Sequence, residues 1–453
     1  MGNFLPNELI RRLNEQYNFD TESFLDSHND ATRITSVRLN PDKPFRGFDS
    51  MERVPWSDSG RYLDGRPVFT LDPLFHAGCY YVQEASSMFL EHVIEKIGFK
   101  DSSAVALDLC GAPGGKSTLL NSSLGKRSLL VANEVIKTRA LVLKENLVRW
   151  GNPNIVVSNN DPSAFSNLPS FFDFMLVDAP CSGSGMFRKG SHAIDEWSLA
   201  HVKLCSERQQ RILSQSINTL KPGGYLVYST CSYSKEENQD ILDWLITEYD
   251  LETVRIPIDA EWGIDEVLSS SANAFGYSFF PHKVKGEGFF LGVLKRRMGA
   301  ICEEKRVKYN FEKCSTDVVN KWVKDVSEYE SFIIEGHLHI FPKLFMSKLG
   351  VLKKQLYLKD AGTTIGRLSG ADLVPSFELA HSTVINEDIQ SQEVSLDVAL
   401  AFLRKQTLDI SDFKTVKTGW CLVKYLGVNL GWVKVLSNRI NNYYPKELRI
   451  MNL

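Results

Sequence analysis

Between about residue 100 and residue 297, short apolar runs alternate with amphipathic stretches of helical period, and this alternation limits the fold more than any other feature. Residues 104–109, 128–132, 154–157, 174–177 and 225–228 read as strands. Residues 116–124, 137–150, 199–220 and 235–249 read as the helices between them, and residues 279–294 as a closing strand pair around Lys285-Gly286-Glu287-Gly288. Residues 174–177 are apolar at every position, as a strand buried on both faces requires. Strands separated by helices of this length predict an α/β domain with a parallel, doubly wound sheet.

The flanks follow different rules. Residues 1–75 combine an amphipathic helix near 7–17, a short strand at 35–40 ended by Pro41, and turns at Gly47, Gly60 and Gly65. They predict a small α+β domain ahead of a central domain at 76–299. Past residue 297 the alternation stops, and residues 300–380 and 381–453 read as two small accessory modules. The chain of 453 residues, 43% hydrophobic and 24% charged, has the balance of an ordinary globular protein. No apolar run approaches the roughly 18 residues of a membrane helix. The first twenty residues carry no apolar signal core, and Pro6 stands where a myristoylation motif has Ser or Thr, so a cytoplasmic location is expected.

A net charge of −3 announces no nucleic-acid partner. Local basic runs exist at Lys295, Arg296 and Arg297 and at Lys305, Arg306 and Lys308, for which a solvated surface is the simpler reading. The eight cysteines, at 79, 110, 181, 205, 231, 302, 314 and 421, form no C-x-x-C pair, which argues against a disulfide framework or zinc knuckle. His76, His192, His201 and His282 never pair at ligand spacing, so no metal is expected.

The first chemical motif is Asp108-Leu-Cys-Gly-Ala-Pro-Gly-Gly-Lys-Ser117, at the end of the first strand of the α/β region. Glycines admit a ligand close to the backbone, and the next helix offers free N–H groups there. A phosphate loop needs four residues between its outer glycines, but Gly111 and Gly115 enclose three, and Pro113 removes a donor. The apolar strand ending in Asp178 mimics the second signature of a nucleotide site, so a P-loop NTPase remains the minority reading. S-adenosylmethionine is the other. Glu134 follows the second strand, placed to accept ribose hydroxyls, and Asp161 follows the third, placed to take an adenine amino group. Alone, Glu134 is an ordinary strand-end carboxylate and Asp161 an N-cap before Pro162. With the glycine-rich turn, the pair favours a nucleoside site.

Two more turns each carry a cysteine: Asp178-Ala-Pro-Cys181-Ser-Gly-Ser-Gly-Met and Tyr228-Ser-Thr-Cys231-Ser-Tyr233. One such thiol is usually a buried structural cysteine. Two, after successive strands of one sheet, suit a specific chemistry. A thiolate adding to C6 of a pyrimidine pushes electron density onto C5, which then accepts a methyl group, and a base must remove the C5 proton before the thiol leaves. Asp178 can bond N3 or N4 at the cytosine edge.

ALDLCGAPGGKS, DAPCSGSG and YSTCSYSKEEN, with Gln83-Glu84-Ala85-Ser86-Ser87-Met88 upstream, resemble the signature set of the Nop/Sun family of RNA cytosine-5 methyltransferases across residues 76–297. That resemblance implies a Rossmann-like, S-adenosylmethionine-dependent core. It implies Cys231 as nucleophile and Cys181 as the residue that assists release, although the Pro180-Cys181 pair imitates the nucleophile of DNA cytosine methylases. It implies cofactor contacts from Cys110, Gly111, Ala112, Pro113, Gly114, Gly115, Lys116, Glu134, Asp161 and Asp178, with Lys116 and Asp178 also facing the base. Many relatives have Ala where this chain has Gly111, a difference expected to be neutral.

Residues 35–44 are similar to the edge of an RNA-recognition-like domain. Residues 368–381 and 430–449 resemble the accessory region of RsmF-type bacterial enzymes, including a PUA-like module. The resemblance implies small-subunit (16S) ribosomal RNA as partner, transfer RNA being the alternative; the inferred basic footprint would suit a monomer. Lys283, Lys285, Lys434, Arg439, Lys446 and Arg449 are then candidate phosphate contacts, with a solvated surface as the even alternative. Trp420, Trp432, Tyr443 and Tyr444 are capable of stacking on bases, but in a small β-rich module such residues are more often core. A non-catalytic ribosome-assembly factor that keeps the fold is the rival from another class; it leaves the paired thiols unexplained.

Overall fold

The computed structural model describes residues 5–17, 19–29, 34–299, 311–314, 316–369 and 372–451; Cys302 and the basic run at Lys305, Arg306 and Lys308 lie outside them. Seven strands form the body of the central sheet: β1 (Val105–Asp108), β2 (Leu129–Asn133), β3 (Ile155–Ser158), β4 (Phe172–Asp178), β5 (Leu220–Thr230), β6 (Phe275–Phe279) and β7 (Phe289–Arg296). Their order is β6-β7-β5-β4-β1-β2-β3, with β1 to β5 parallel and β7 antiparallel to both neighbours. The chain steps outward from β1 to β3 and then returns to β4 on the other side. The crevice for a ligand therefore opens at the carboxyl ends of β1 and β4.

The apolar run in β4 is explained by burial on both faces. Met175 and Val177 enter the core on one side, Phe174 and Leu176 the core on the other, all at 0% exposure. Each such side chain contributes about 1.5–3 kcal/mol of burial. The helices α1 (Gly115–Ser123), α2 (Lys137–Trp150), α3 (Leu199–Ser216) and α4 (Gln239–Glu248) cover the sheet. In α2, Ala140, Leu143, Leu147 and Trp150 fall at helical spacing on the buried face, and Gly151, at φ 98°, ends the helix in the left-handed region.

Three places depart from the sequence expectation. The helix expected over 199–220 stops at Ser216, and Lys221-Pro222-Gly223-Gly224 lies inside a longer β5, where its register with β4 shifts between Phe172 and Phe174. The helix expected over 235–249 breaks at Asn238 into a 3-10 turn, Lys235–Glu237, and α4. There the Asn238 amide accepts from Thr230 Oγ1 and donates to the Ser232 carbonyl, so its side chain serves the preceding turn. Third, β8 (Leu358–Ala361), from the accessory region, adds antiparallel to β3 and extends the sheet, while Lys144 of α2 pairs with Asp360 at 3.2 Å.

The flanks are interleaved with one another. Helices Asn7–Gln16 and Thr21–Asn29 pack Leu9, Leu13 and Phe24 against Tyr233 and Phe280 of the central domain. The three-stranded sheet Gly60–Leu63, Thr35–Leu39, Tyr80–Val82 takes its last strand from beyond residue 75. Val37, Leu74, Cys79 and Tyr80 share a core with Phe402, Cys421, Val433 and Tyr444 near the other end of the chain. Residues 311–375 build a five-stranded sheet, and residues 391–442 a four-stranded one. Among the described residues, no helix is long and apolar enough to cross a membrane.

Candidate active site

The glycine-rich turn leaves β1 and enters α1 at Gly114, whose φ of 120° is closed to residues with a Cβ. A Cβ there would also stand 3.2 Å from Asn146 Cβ. Asn146 Nδ2 donates to the Pro113 carbonyl, and an Arg139 N–H to that of Ala112, which hold the turn open from the α2 side. Gly111 is tighter than the sequence suggested. An alanine Cβ would lie 2.8 Å from Ser117 Oγ, which donates to Asp108 Oδ2 at 2.6 Å. The neutral exchange expected from the resemblance therefore requires Ser117 to move.

Asp108 is fully buried at the crevice end of β1, and its Oδ1 has no hydrogen-bond partner. Burial, opposed by the Ser117 bond and reinforced by the charge of Asp178, pushes its carboxyl up to about 7. An orphaned buried oxygen beside a glycine cradle fits a ligand that brings a donor or a positive charge. Cys110 follows, its thiol pushed up by burial and then by the Asp108 charge. Glu134, 3% exposed, accepts from Ile136 N at 2.9 Å and pairs with Arg139 at 3.2 Å; a carboxylate has about four acceptor sites, so capacity for ribose hydroxyls remains. Asp161 is exposed and caps the 3-10 turn Pro162–Asn167, accepting from Ser163 N and Oγ, whose bonds hold its carboxyl below the usual range. That is the structural role weighed for it in the sequence. These groups together fit the nucleoside and amino-acid parts of S-adenosylmethionine.

The two cysteine turns meet. Cys181 lies three residues past β4, Cys231 directly past β5, and their Sγ atoms are 3.1 Å apart. Lys116, reaching over from the start of α1, donates to Asp178 Oδ2 at 2.9 Å, and Ser229 Oγ donates to Asp178 Oδ1 at 2.8 Å. Burial opposes the Lys116 charge, but Asp178, then Cys231 and Asp108, outweigh it and raise the ammonium above its usual value. The two thiols share a hydrogen bond. That bond, helped by Lys116 and opposed by burial and Asp178, lowers the Cys231 thiol below its ordinary value, while Cys181 is held well above it. Sequence reasoning thus named residues that the fold gathers: Lys116, Asp178, Cys181 and Cys231 form one cluster.

It missed Glu237. This carboxylate is fully buried, and its oxygens accept from Ser182 N, Ser182 Oγ, Ser232 Oγ and Gln209 Nε2 at 2.7, 2.5, 2.6 and 3.2 Å. In the sequence it is one of two acids in Lys235-Glu236-Glu237, at the start of the stretch read as a helix over 235–249. The available signal was the serine directly after each cysteine. Asn133 was also passed over; its amide donates to the carbonyls of Leu109 and Asn160 and accepts from Ser158 Oγ, tying the ends of β1 to β3.

Residues 99–295 match the family described as 16S rRNA methyltransferase RsmB/F, residues 5–85 the N-terminal domain of 16S rRNA methyltransferase RsmF, and residues 390–450 the methyltransferase RsmF PUA domain. A ribosomal RNA small subunit methyltransferase F from Shewanella piezotolerans is 30% identical over 413 residues, covering 87% of this chain and 85% of that one. The chain belongs to this family. Its counterpart in Vibrio parahaemolyticus is 30% identical over 426 residues, covering 88% and 86%. A methyltransferase homologue from Pyrococcus horikoshii superposes with a TM-score of 0.52 at 25% identity, over 64% of this chain and all of that one. NSun6 of the same organism, solved with SFG, gives 0.53 at 20% identity, over 64% and 98%, a likeness of fold. The chain is therefore an S-adenosylmethionine-dependent RNA methyltransferase, and the P-loop reading falls away.

The remaining candidates sort themselves by partner. Lys283 pairs with Asp265 and Lys285 with Glu52, so neither is a free cation. Lys434 lies 5.3 Å over the Trp420 ring; Arg439, Lys446 and Arg449 form no ion pair among the described residues. Trp432 and Tyr444 are core, at 2% and 1% exposure, whereas Tyr443 is 42% exposed and meets Trp420 edge-on at 4.5 Å. No group of three metal-binding side chains occurs among the described residues.

Proposed function

We propose that this chain transfers a methyl group from S-adenosylmethionine to C5 of cytosine in 16S ribosomal RNA, through a covalent bond between Cys231 and C6. The observation that carries the reading is the pair of thiols 3.1 Å apart beside Lys116 and Asp178. Two atoms that must be served together, C5 and C6, are bonded neighbours, so the groups serving them must also be close. Relatives named for the small ribosomal subunit support the choice of RNA.

When bound, S-adenosylmethionine supplies an electrophilic methyl group. Cys231 supplies the thiolate, already favoured by Cys181 and Lys116. Its sulfur pair forms a bond to C6, and the displaced C5–C6 electrons make C5 the nucleophile. Asp178, fixed by Lys116 and Ser229, receives the Watson–Crick edge of the base. After C5 is methylated, the C5 proton passes to a solvent water or hydroxide acting as base, and Cys181 assists that release. The C–H pair restores the C5–C6 double bond, and the Cys231–C6 bond breaks with its electrons returning to sulfur. A paired cytosine must leave its stack to reach this crevice.

In this reading residues 1–75 and 381–453 are RNA-binding flanks around the catalytic region 76–299, residues 300–380 are an accessory domain, and the enzyme acts as a cytoplasmic monomer. The test supplies tritium-labelled S-adenosylmethionine and purified protein with small ribosomal subunits, free ribosomal RNA or transfer RNA from cells lacking the gene. Label in 5-methylcytidine from ribosomal samples is the expected result. Label in transfer RNA alone overturns the substrate, and no label despite cofactor binding overturns the enzyme reading in favour of an assembly factor.

A further inference from the structure

Glu237 stands behind both cysteines. Its acceptors are fully used, and three of its four donors come from Ser182 and Ser232, the residues that directly follow Cys181 and Cys231. The fourth, Gln209 Nε2, also donates to the carbonyl of Pro180, directly before Cys181. The two serine hydroxyls are themselves 3.3 Å apart. On its other side Glu237 is anchored through its main-chain carbonyl, which accepts from the buried Tyr228 hydroxyl at 2.6 Å. A second brace runs from Asn238 to the Ser232 carbonyl, and a third from Gly185 N to the Cys231 carbonyl at 2.8 Å. The cysteine turns come from different strands and share no covalent link shorter than fifty residues, so their sulfur separation depends on such side-chain ties.

We propose that Glu237 is a positioning residue that sets the distance between the Cys181 and Cys231 sulfurs by gripping the residue after each. It touches neither sulfur; it acts through Ser182, held at its N–H and hydroxyl, and through Ser232, held at its hydroxyl. The proposal rests on the paired-thiol reading above for its catalytic meaning, but the sulfur spacing it sets is measurable without any RNA.

The test compares full-length protein with Glu237→Ala, Glu237→Gln and the milder Ser232→Ala. Three quantities are read: turnover on small-subunit RNA, cofactor affinity, and the rate at which diamide joins Cys181 to Cys231. In that probe reaction the two thiols give up two electrons and two protons, and the diazene is reduced to a hydrazine. Glu237→Ala is expected to lose about a hundredfold in kcat with KM for RNA within about threefold, and to slow diamide closure about tenfold. Cofactor affinity stays within twofold. Glu237→Gln, which keeps the shape and one acceptor oxygen, recovers most of both losses, and Ser232→Ala falls between them. Unchanged closure and turnover in Glu237→Ala overturn the proposal, as does loss of cofactor binding in step with turnover across all three variants. Failure of the underlying chemistry has a different signature: wild-type protein that closes readily with diamide yet makes no 5-methylcytidine.

Discussion

The two kinds of turn at the crevice are built in opposite ways. The glycine-rich turn after β1 is braced from outside, by Arg139 and Asn146, and leaves Asp108 Oδ1 buried without a partner. The cysteine turns after β4 and β5 are wired from within: every acceptor site of Glu237 is used, and each Asp178 oxygen already accepts one bond. An unsatisfied buried oxygen costs about 1–3 kcal/mol, which a ligand can return. A satisfied polar cluster is rigid before the ligand arrives. In the proposed reaction the contrast suits two tasks: one turn left incomplete for a cofactor that must come and go, the other holding the proposed reacting groups at fixed spacing.

The largest effect should fall on the wired side. Cys231→Ala is expected to lower turnover at least about a thousandfold while cofactor affinity stays within about twofold, as read by single-turnover methylation and by titration. Cys181→Ala should differ in kind, accumulating an enzyme–RNA adduct stable on a denaturing gel. Equal behaviour of the two variants would erase the division between nucleophile and release residue.

Next is the pH response. Because the Cys231 thiol lies below its ordinary value, the thiolate is the form favoured as pH rises, and activity should climb and level off at lower pH than for a free cysteine. Lys116→Met removes a charge that favours the thiolate, so the ascending limb should move to higher pH, with about a tenfold loss on that limb for each pH unit of displacement. A limb that stays in place would detach Lys116 from the thiol. On the open side, Gly114→Ala introduces a Cβ at φ 120° and should weaken cofactor binding about tenfold by calorimetry, leaving diamide closure of the cysteines untouched. Gly111→Ala, which crowds the Ser117 hydroxyl at 2.8 Å and Leu143 and Asp108 at 3.2 and 3.3 Å, should cost about threefold in the same titration. The smallest effect is expected far from both turns. Trp420→Ala, in the C-terminal module, should raise KM for RNA by no more than about threefold with kcat unchanged.

The central sheet was legible because burial on both faces leaves a local trace: β4 is apolar wherever it must be, and α2 shows its buried face at helical spacing. Asp178, Cys181 and Cys231 were legible because each stands at or just past the end of an apolar strand of one sheet, whereas Lys116 entered through the family resemblance. Pairings made at long range left no such trace. Nothing in Leu358–Ala361 says that it joins β3, or that the N-terminal sheet shares a core with Phe402 and Tyr444. Glu236 and Glu237 are adjacent and identical, yet one pairs with Arg12 at the surface and the other is fully buried behind the cysteines. Only the fold distinguishes them. The helix break at Asn238 has the same origin, since a side chain needed by the Cys231 turn overrode local helix propensity.

The most direct test of the account is mass spectrometry of the covalent species that Cys181→Ala forms with small-subunit ribosomal RNA and S-adenosylmethionine. The account predicts a methylated cytidine attached to the peptide that contains Cys231, and no adduct once Cys231 is also replaced by alanine. An adduct on any other residue, or none while 5-methylcytidine is still produced by the Cys231→Ala enzyme at the wild-type rate, would contradict it.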